Sequence, residues 1–243
     1  RGRESDETGQ RRGLECVLCF DGVNAGKKGP EYLKGVFQMS NPWEKISLSD
    51  YESHMKLNSV RQLQAMNALM KSQLDTYPVS SVMILGVAGG NGLEHIAGKR
   101  FVKVYGIDIN ASYLEEVRRR YSTLDSVLEC LCVDLLSETE LLPAAELVIA
   151  NLLIEYIGYE GFQRVIQTVK PQYVSCVIQV NPEGNWVSDS PYLHIFDGLK
   201  RIYCQMDEQE LTERMAEIGY HVIKTLEFPL PNGKKFVQLD FQQ

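Results

Sequence analysis

The sequence has little that would place the protein in a membrane or carry it out of the cell. No apolar run among the 243 residues approaches the roughly 20 residues that a membrane-spanning helix needs. The start of the chain is polar and lacks the apolar stretch of a secretory signal. The six cysteines are scattered, and most fall in predicted strands or helices, which is typical of reduced core residues. These absences predict a cytoplasmic protein with no membrane association.

The sequence also has no excess of positive charge. Lys and Arg number 25 against 32 Asp and Glu, which gives a formal net charge of -7. A broad nucleic-acid surface needs clustered Lys and Arg to contact phosphates. An extensive nucleic-acid surface is therefore not expected. The oligomeric state cannot be inferred from the sequence.

The composition divides the chain into three parts. Residues 1–38 are rich in glycine and mixed charge, and they lack the periodic apolar pattern of a folded element. Because Met39-Ser-Asn-Pro-Trp-Glu44 resembles a natural start of translation, residues 1–38 are interpreted as an added or dispensable extension. Residues 39–78 are predicted to form an N-terminal helical lid, and residues 79–243 to form the ligand-binding domain.

A pair of cysteines in the extension, Cys16 and Cys19, has the spacing of half a zinc site. A structural zinc takes four ligands, usually from two such pairs. Cys130 and Cys132 lie on one predicted strand with the wrong spacing for a partner pair. No metal site is predicted.

The region from Pro42 to Tyr77 is predicted to be helical. An apolar stripe near helical period indicates a helix that packs against the domain; it consists of Val60, Leu63, Met66, Met70 and Leu74. The preceding segment, residues 48–57, has fewer apolar positions but carries Tyr51 and His54. We expect this shorter segment to be a mobile lid with both side chains facing the ligand.

The rest of the chain is organised around a glycine-rich turn. A buried strand is predicted at Val82 to Leu85, and small residues follow it at once. Glycines let the backbone approach a ligand, and Leu93 to Ala97 is predicted to open a helix with free N–H groups. A P-loop is excluded because no Gly-Lys-Ser/Thr follows, and the dinucleotide glycine pattern is interrupted at Ala88 and Asn91.

Strands and helices alternate from Ser81 onward, which predicts a mainly parallel sheet with helices on both faces. The predicted strands are 82–87, 101–107, 127–133, 147–151, 173–180, 221–228 and 235–241, and the main helices are 111–121, 159–169 and 207–218. Pro229-Leu-Pro-Asn-Gly233 is a hairpin signal, so the last strand should be antiparallel to its neighbour. The predicted fold is α/β, a doubly wound, mainly parallel seven-stranded sheet with a reversed last strand in a C-terminal hairpin, plus the N-terminal helical lid.

The glycine turn and this order of elements resemble class I S-adenosylmethionine-dependent methyltransferases. The turn matches small-x-small-x-Gly-x-Gly at Gly86, Ala88, Gly90 and Gly92, and the resemblance extends over residues 81–241. It implies that these four residues bind S-adenosylmethionine and that the protein transfers a methyl group to a small-molecule acceptor. The family usually has an acid where this chain has Gly86, which removes one polar contact near the methionine end of the cofactor.

The ends of the second and third strands carry the next predicted cofactor contacts. Asp108, followed by Ile109, can accept hydrogen bonds from both ribose hydroxyls, because Asn110 is better placed to cap the next helix. The resemblance implies that Asp134 meets the adenine amino group and that Leu135 packs against the ring. The alternative for Asp134 is a turn or cap aspartate ahead of the next element.

The resemblance also implies cofactor contacts from Asn151 and Leu152 at the tip of the fourth strand, and Tyr51 is expected to reach the cofactor from the lid. A general base is needed only if the acceptor carries a proton that must leave. The candidate bases are His54, Tyr156 and His194.

The connection between the fifth strand and the next helix, residues 181–202, is aromatic and long for a loop. We expect it to form an acceptor pocket, or else to be an insertion that covers the edge of the sheet. Two alternative functions stay open. A nicotinamide-dependent oxidoreductase is disfavoured by the missing glycines, whereas the absent acid at Gly86 leaves room for a non-catalytic, methyltransferase-like binding protein.

Overall fold

The computed structural model describes residues 40–98, 100–181 and 186–243. The predictions for residues 1–38, with Cys16 and Cys19, fall outside the described residues. So does part of the aromatic connection after the fifth strand, residues 182–185.

Seven strands form one sheet in the order β3-β2-β1-β4-β5-β7-β6. The strands are β1 (Ser81–Leu85), β2 (Lys103–Asp108), β3 (Leu128–Cys132), β4 (Leu147–Asn151), β5 (Tyr173–Val180), β6 (His221–Pro229) and β7 (Lys235–Gln242). Strands β1 to β5 pair in parallel, and β7 is antiparallel to both β5 and β6. The predicted fold class is confirmed, including the reversed last strand.

The strand sequences account for their places in the sheet. The central strand β1 is buried from Val82 to Leu85, as expected for a parallel strand covered on both faces. Strand β6 instead alternates exposed and half-buried positions along its whole length. That alternation is typical of an edge strand with one face toward solvent.

Five α-helices accompany the sheet in the described part of the chain. They are α1 (Leu48–Met55), α2 (Gln62–Thr76), α3 (Ala111–Arg120), α4 (Ile154–Val169) and α5 (Glu208–Glu217). Phe162 of α4 and Leu211 of α5 belong to one core cluster, while Leu74 of α2 and Leu114 of α3 belong to another. The two clusters lie on opposite faces of the sheet, as the alternating pattern predicts.

Two elements near the strand ends differ from expectation. The helix predicted after the glycine turn is a single 3₁₀ turn, Leu93–Ile96. Gly98 follows it with φ 73°, a conformation that a right-handed helix cannot continue. Helix α4 starts at Ile154, five residues before the predicted 159–169 range, and a kink at Gly158 (φ 68°, ψ 171°) separates its first turn from the rest.

The cysteines that the structure describes as free thiols differ in burial. Cys130 and Cys176 are buried, as expected for reduced core residues, whereas Cys132 is exposed.

Within residues 40–98, 100–181 and 186–243, no helix is both long and apolar enough to cross a bilayer. The same residues contain no group of three or more His, Cys, Asp or Glu side chains that could hold a metal ion.

Candidate functional site

A cavity lies at the carboxyl ends of β1, β2, β3 and β4, where open α/β sheets bind their ligands. Its volume is about 720 Å³, including the part open to solvent. We call it the first cavity. The predicted cofactor residues that line it are Tyr51, Gly86, Ala88, Asp108, Ile109, Asp134, Leu135, Asn151 and Leu152.

The other two predicted glycines, Gly90 and Gly92, do not line the first cavity. A Cβ atom on Gly92 would lie 2.6 Å from Cγ of Met70, and one on Gly90 would lie 2.6 Å from Cε2 of Tyr121. Both positions therefore have to be glycine so that the turn can pack against α2 and against the end of α3. In the structure, these two glycines allow the turn to pack closely against the two helices.

Asp108 at the end of β2 holds the glycine turn in place. Its side chain is buried, and its Oδ2 atom accepts a hydrogen bond from the Ala88 N–H at 2.8 Å. Its Oδ1 atom accepts from the Asn110 N–H at 2.9 Å. Burial raises the pKa of Asp108, and these hydrogen bonds oppose that shift. Each carboxylate oxygen has a second acceptor position, so the group retains capacity for a ligand.

Asn110, as expected, caps α3. Its Oδ1 atom accepts hydrogen bonds from the N–H groups of Ser112 and Tyr113 at 3.1 and 3.4 Å. Since Asn110 satisfies the first turn of α3, the Asp108 carboxylate is not needed as the cap.

Asp134, after β3, has the turn-stabilising role that was considered as the alternative for it. Its Oδ1 atom accepts from the Leu136 N–H and its Oδ2 atom from the Ser137 hydroxyl, both at 2.9 Å. It therefore stabilises its own turn and also lines the first cavity. Leu135 and Ile109 add apolar surface beside it.

The tip of β4 is held in place by hydrogen bonds to α2. The Asn151 amide exchanges two hydrogen bonds with Gln73 of α2, at 2.9 and 2.8 Å. Leu152 follows with φ 55°, a left-handed conformation that is uncommon for a residue with a side chain and is enriched at functional sites. Its N–H donates to the Val177 carbonyl at 2.8 Å.

A second cavity of about 510 Å³ adjoins the first. The two cavities share four lining residues, Trp43, Tyr51, Leu152 and Tyr156. The second cavity extends past α1 and the first turn of α4 to the end of β5 and the segment after residue 185. Ligands bound in the two cavities would therefore contact the same four residues from different sides.

Three aromatic residues form most of that shared wall. The Trp43 ring lies edge-to-face against Tyr156, with centroids 4.9 Å apart, and against Tyr51, with centroids 5.8 Å apart. Burial raises the pKa of both tyrosine hydroxyls. Tyr156, a predicted base, therefore stays neutral near pH 7 and is a poor proton acceptor there.

The two predicted histidine bases lie in different environments. His54 is 3% exposed and lines the second cavity. Its Nδ1 atom is 2.8 Å from the Ser190 hydroxyl, and burial, followed by the charge of Lys234, lowers its pKa to about 4. His194 lines neither cavity; its side chain is 90% exposed and contacts Asp197 at 3.3 Å. The structure brings His54 to the site but not His194.

Glu155 is the site residue that sequence analysis missed. It is 2% exposed and lines the second cavity. Its Oε1 atom accepts from the Gln179 N–H at 2.9 Å, whereas its Oε2 atom has no hydrogen-bond partner in the described structure. Burial raises the pKa of Glu155 to about 7. The available signal was an acid inside an apolar run, Leu152 to Ile157.

An ion-pair cluster links α1 to the glycine turn. Arg120, at the end of α3, pairs with Glu52 of α1 and with Glu116 of its own helix. The same guanidinium group donates to the Gly89 carbonyl at 3.1 Å. The Arg120 side chain thereby connects α1 to the glycine turn.

No protein-family model and no curated protein matches the chain. Solved structures do match it. The methyltransferase domain of bacterial CtHen1 has a TM-score of 0.55 at 17% identity and covers 81% of this chain and 98% of its own. The magnesium protoporphyrin IX methyltransferase ChlM from Synechocystis PCC 6803, solved with bound SAM, has a TM-score of 0.53 at 13% identity, covering 79% and 83%.

A third solved structure, the cyclopropane synthase MmaA2 from Mycobacterium tuberculosis, has a TM-score of 0.58 at 11% identity and covers 84% of this chain and 95% of its own. At these identities the likeness establishes a shared fold, that of the class I methyltransferases. One fold can host different functions, so the function has to be argued from the two cavities.

Proposed function

We propose that this protein is an S-adenosylmethionine-dependent methyltransferase that acts on a small-molecule acceptor. The observation that supports this most directly is the buried Asp108 carboxylate at the end of β2, bonded to Ala88 of the glycine turn. Within the fold shared with solved methyltransferases, it lies where open sheets bind nucleotides.

The residues of the first cavity fit this cofactor. Asp108 has acceptor capacity left for ribose hydroxyls, and Ile109 and Leu135 provide apolar surface for a purine ring. The rings of Trp43 and Tyr51 suit a sulfonium ion, because aromatic faces attract cations.

The structure leaves little room for a side chain at Gly86, where the methyltransferase family usually has an acid. Gly86 has φ 67°, and a Cβ atom there would lie 3.1 Å from Cδ1 of Leu153. An acid at this position would strain the backbone and press on Leu153. The amino-acid end of the cofactor is therefore expected to be held by other groups of the first cavity.

When bound, the cofactor supplies a methyl group already activated on sulfur, so the protein has to position the acceptor and exclude water. The shared wall serves both purposes. Trp43, Tyr51, Leu152 and Tyr156 all border both cavities. An acceptor in the second cavity would approach the cofactor across this wall.

Calorimetry tests the proposal. The purified protein should bind S-adenosylmethionine and S-adenosylhomocysteine, and NAD should not bind at comparable concentration. Tight NAD binding without sulfonium binding would instead favour the nicotinamide-dependent oxidoreductase.

Catalysis needs a separate measurement. Screening acceptor libraries for S-adenosylhomocysteine release should identify at least one acceptor that is methylated. Binding of both adenosyl compounds without turnover of any acceptor would make the chain a methyltransferase-like binding protein.

A further inference from the structure

We propose that the second cavity binds an amine, whose ammonium group contacts Glu155 and passes a proton to it. The methyl transfer in this proposal rests on the proposed function. The amine site itself rests on the contacts of the second cavity alone.

The first observation is an unmet charge. The Glu155 side chain is almost fully buried, and only one of its two oxygens has a hydrogen-bond partner in the described structure. Buried charges in proteins are normally paired. Among the residues the structure describes, no Lys or Arg lines the second cavity. The nearby Lys234 amine donates to the Trp186 carbonyl at 2.8 Å, and His54, with its pKa lowered to about 4, is neutral at pH 7.

The second observation is the set of rings around this carboxylate. Tyr156, next in sequence to Glu155, has its ring centroid 6.0 Å from that of Tyr203 and 6.4 Å from that of Trp186. Trp186 and Tyr203 stack at 4.4 Å. All three line the second cavity. Aromatic faces attract cations, so the rings and the carboxylate favour the same ligand, a positively charged nitrogen.

Three other polar side chains of the second cavity, Gln62, Gln179 and Ser188, are already engaged. Gln62 donates to the Gln179 side-chain carbonyl. The Gln179 amide nitrogen donates to Asn181 Oδ1 and to the Trp186 carbonyl, both at 2.7 Å. The Ser188 hydroxyl accepts from Asn232 at 2.7 Å. The unpartnered Oε2 atom of Glu155 is therefore the feature that selects the ligand, and it requires a hydrogen-bond donor.

The chemistry balances with these groups. The ammonium nitrogen loses a proton to the Glu155 carboxylate, breaking an N–H bond and forming an O–H bond. The freed lone pair on nitrogen forms the bond to the transferred methyl carbon while the carbon–sulfur bond breaks and its electron pair stays on sulfur. The products are a methylated ammonium ion and the neutral thioether, and Glu155 later returns its proton to solvent.

The ionisable side chains that act on Glu155 do not themselves titrate in the pH range in which Glu155 does. The ionisable groups that interact with its charge are Tyr156 and Tyr159 of α4, Cys176 of β5, and Tyr203. Burial raises the pKa of each of the four, so all are neutral between pH 6 and pH 8. With the pKa of Glu155 raised to about 7 and that of Lys234 lowered by burial to about 8, an ammonium ligand should bind at least tenfold more tightly at pH 8 than at pH 6.

The test uses three probes with one ring and different charges: 2-phenylethylamine, 2-phenylethanol and phenylacetate. Each is titrated by calorimetry into the full chain saturated with S-adenosylhomocysteine. The amine should bind at least tenfold more tightly than the alcohol, and phenylacetate should be weakest. Glu155→Gln, which keeps the volume and the Gln179 contact, should weaken amine binding at least tenfold. Glu160→Gln, an exposed acid on the same helix, should leave it unchanged.

Equal affinity for the amine and the alcohol would overturn the proposal, as would an unchanged amine affinity in Glu155→Gln. If that variant does not fold, the probe series and the pH series on the unmodified chain still decide. S-adenosylhomocysteine affinity, measured first in the same samples, separates the two proposals. Its absence defeats the proposed function, whereas its presence without amine binding defeats only the amine site.

Discussion

The two cavities differ in how their polar side chains are used. In the first cavity, Asp108, Asp134 and Asn151 all have partners within the protein, at 2.8 to 2.9 Å. In the second, Glu155 has an oxygen without a partner among the described residues. Satisfied polar groups hold a preformed shape for a ligand, whereas an unmet buried charge favours one ligand chemistry over another. The hydrogen-bonded polar groups of the first cavity thus hold its shape, whereas in the second cavity a single carboxylate favours one kind of ligand.

The largest effect that separates the cavities is expected for Asp108→Ala. The variant loses two charge-assisted hydrogen bonds to a ribose, each worth about 1.5–3 kcal/mol, and it also leaves the Ala88 and Asn110 N–H groups without their partner. Calorimetry should show S-adenosylhomocysteine affinity lower by at least tenfold for the loss of one bond and by at least about a hundredfold for the loss of both.

In the same variant, binding of 2-phenylethylamine to the second cavity should be unchanged. Asp108→Asn, which retains one carbonyl acceptor, should show an intermediate loss. An unchanged dissociation constant for S-adenosylhomocysteine in Asp108→Ala would restrict this residue to supporting the turn.

Next in size is the pH dependence of stability that Glu155 confers. Its pKa is raised from 4.5 to about 7 in the folded chain, so the native state holds a proton that the unfolded chain releases. The stability that this one group contributes is therefore fully present below pH 4.5 and is lost as pH rises through 7. Glu155→Gln removes this pH dependence. Relative to the unmodified chain, the free energy of unfolding of the variant should therefore rise by about 2–3 kcal/mol as the pH goes from 5 to 8.

Urea unfolding at pH 5 and pH 8 measures this difference. Glu160→Gln provides the control, because this exposed acid should give the same small difference at both values of pH. A stability difference between Glu155→Gln and the unmodified chain that does not change with pH would mean that the carboxylate is not desolvated.

A smaller effect, on both cavities together, is expected for Gly158→Ala. The kink at φ 68° and ψ 171° sets the first turn of α4, which carries Glu155 and Tyr156. A Cβ atom there would meet no atom of the described residues within 4 Å, so backbone strain of about 1–3 kcal/mol is the expected cost of the substitution. The free energy of unfolding should fall by that amount. Glu160→Ala, two residues on, should change it by less than about 0.5 kcal/mol, and equal values for the two variants would show that the kink is not strained.

The smallest effect concerns α1, the predicted lid, which contributes Tyr51 to the lining of both cavities. Amide hydrogen exchange should show weak protection across residues 48–57 without ligand and stronger protection with S-adenosylhomocysteine. The distant helix α5 serves as the internal control and should not respond. Equal protection of residues 48–57 in both states would make α1 ordinary packing, held by the Arg120–Glu52 pair.

The sequence predicted the sheet well because strand signals there are local. Continuous apolar runs predict β1, β4 and β5, and Pro229 to Gly233 predicts the reversed hairpin. The cavity residues Asp108 and Asp134 were also predictable, since they directly follow apolar strands at an edge where ligands bind.

Glu155 was not predictable in the same way, because its environment is assembled from distant parts of the chain. The Gln179 N–H comes from β5, and the Tyr203 and Trp186 rings come from the long connection after it. Similarly, Gly90 and Gly92 match a cofactor pattern but face Tyr121 and Met70. A spacing pattern cannot distinguish a glycine that admits a ligand from one that admits a neighbouring helix.

The position of β7 has a consequence for how the chain folds during synthesis. Strand β7 lies between β5 and β6, and its residues 235–242 pair with Val180 back to Tyr173. Until residues 235–242 leave the ribosome, the apolar strand β5 has an unpaired edge next to an otherwise complete parallel half-sheet. Such an edge can pair with another chain, so the nascent protein is most prone to aggregation until residues 235–242 have left the ribosome, and a chaperone would be most useful at that stage.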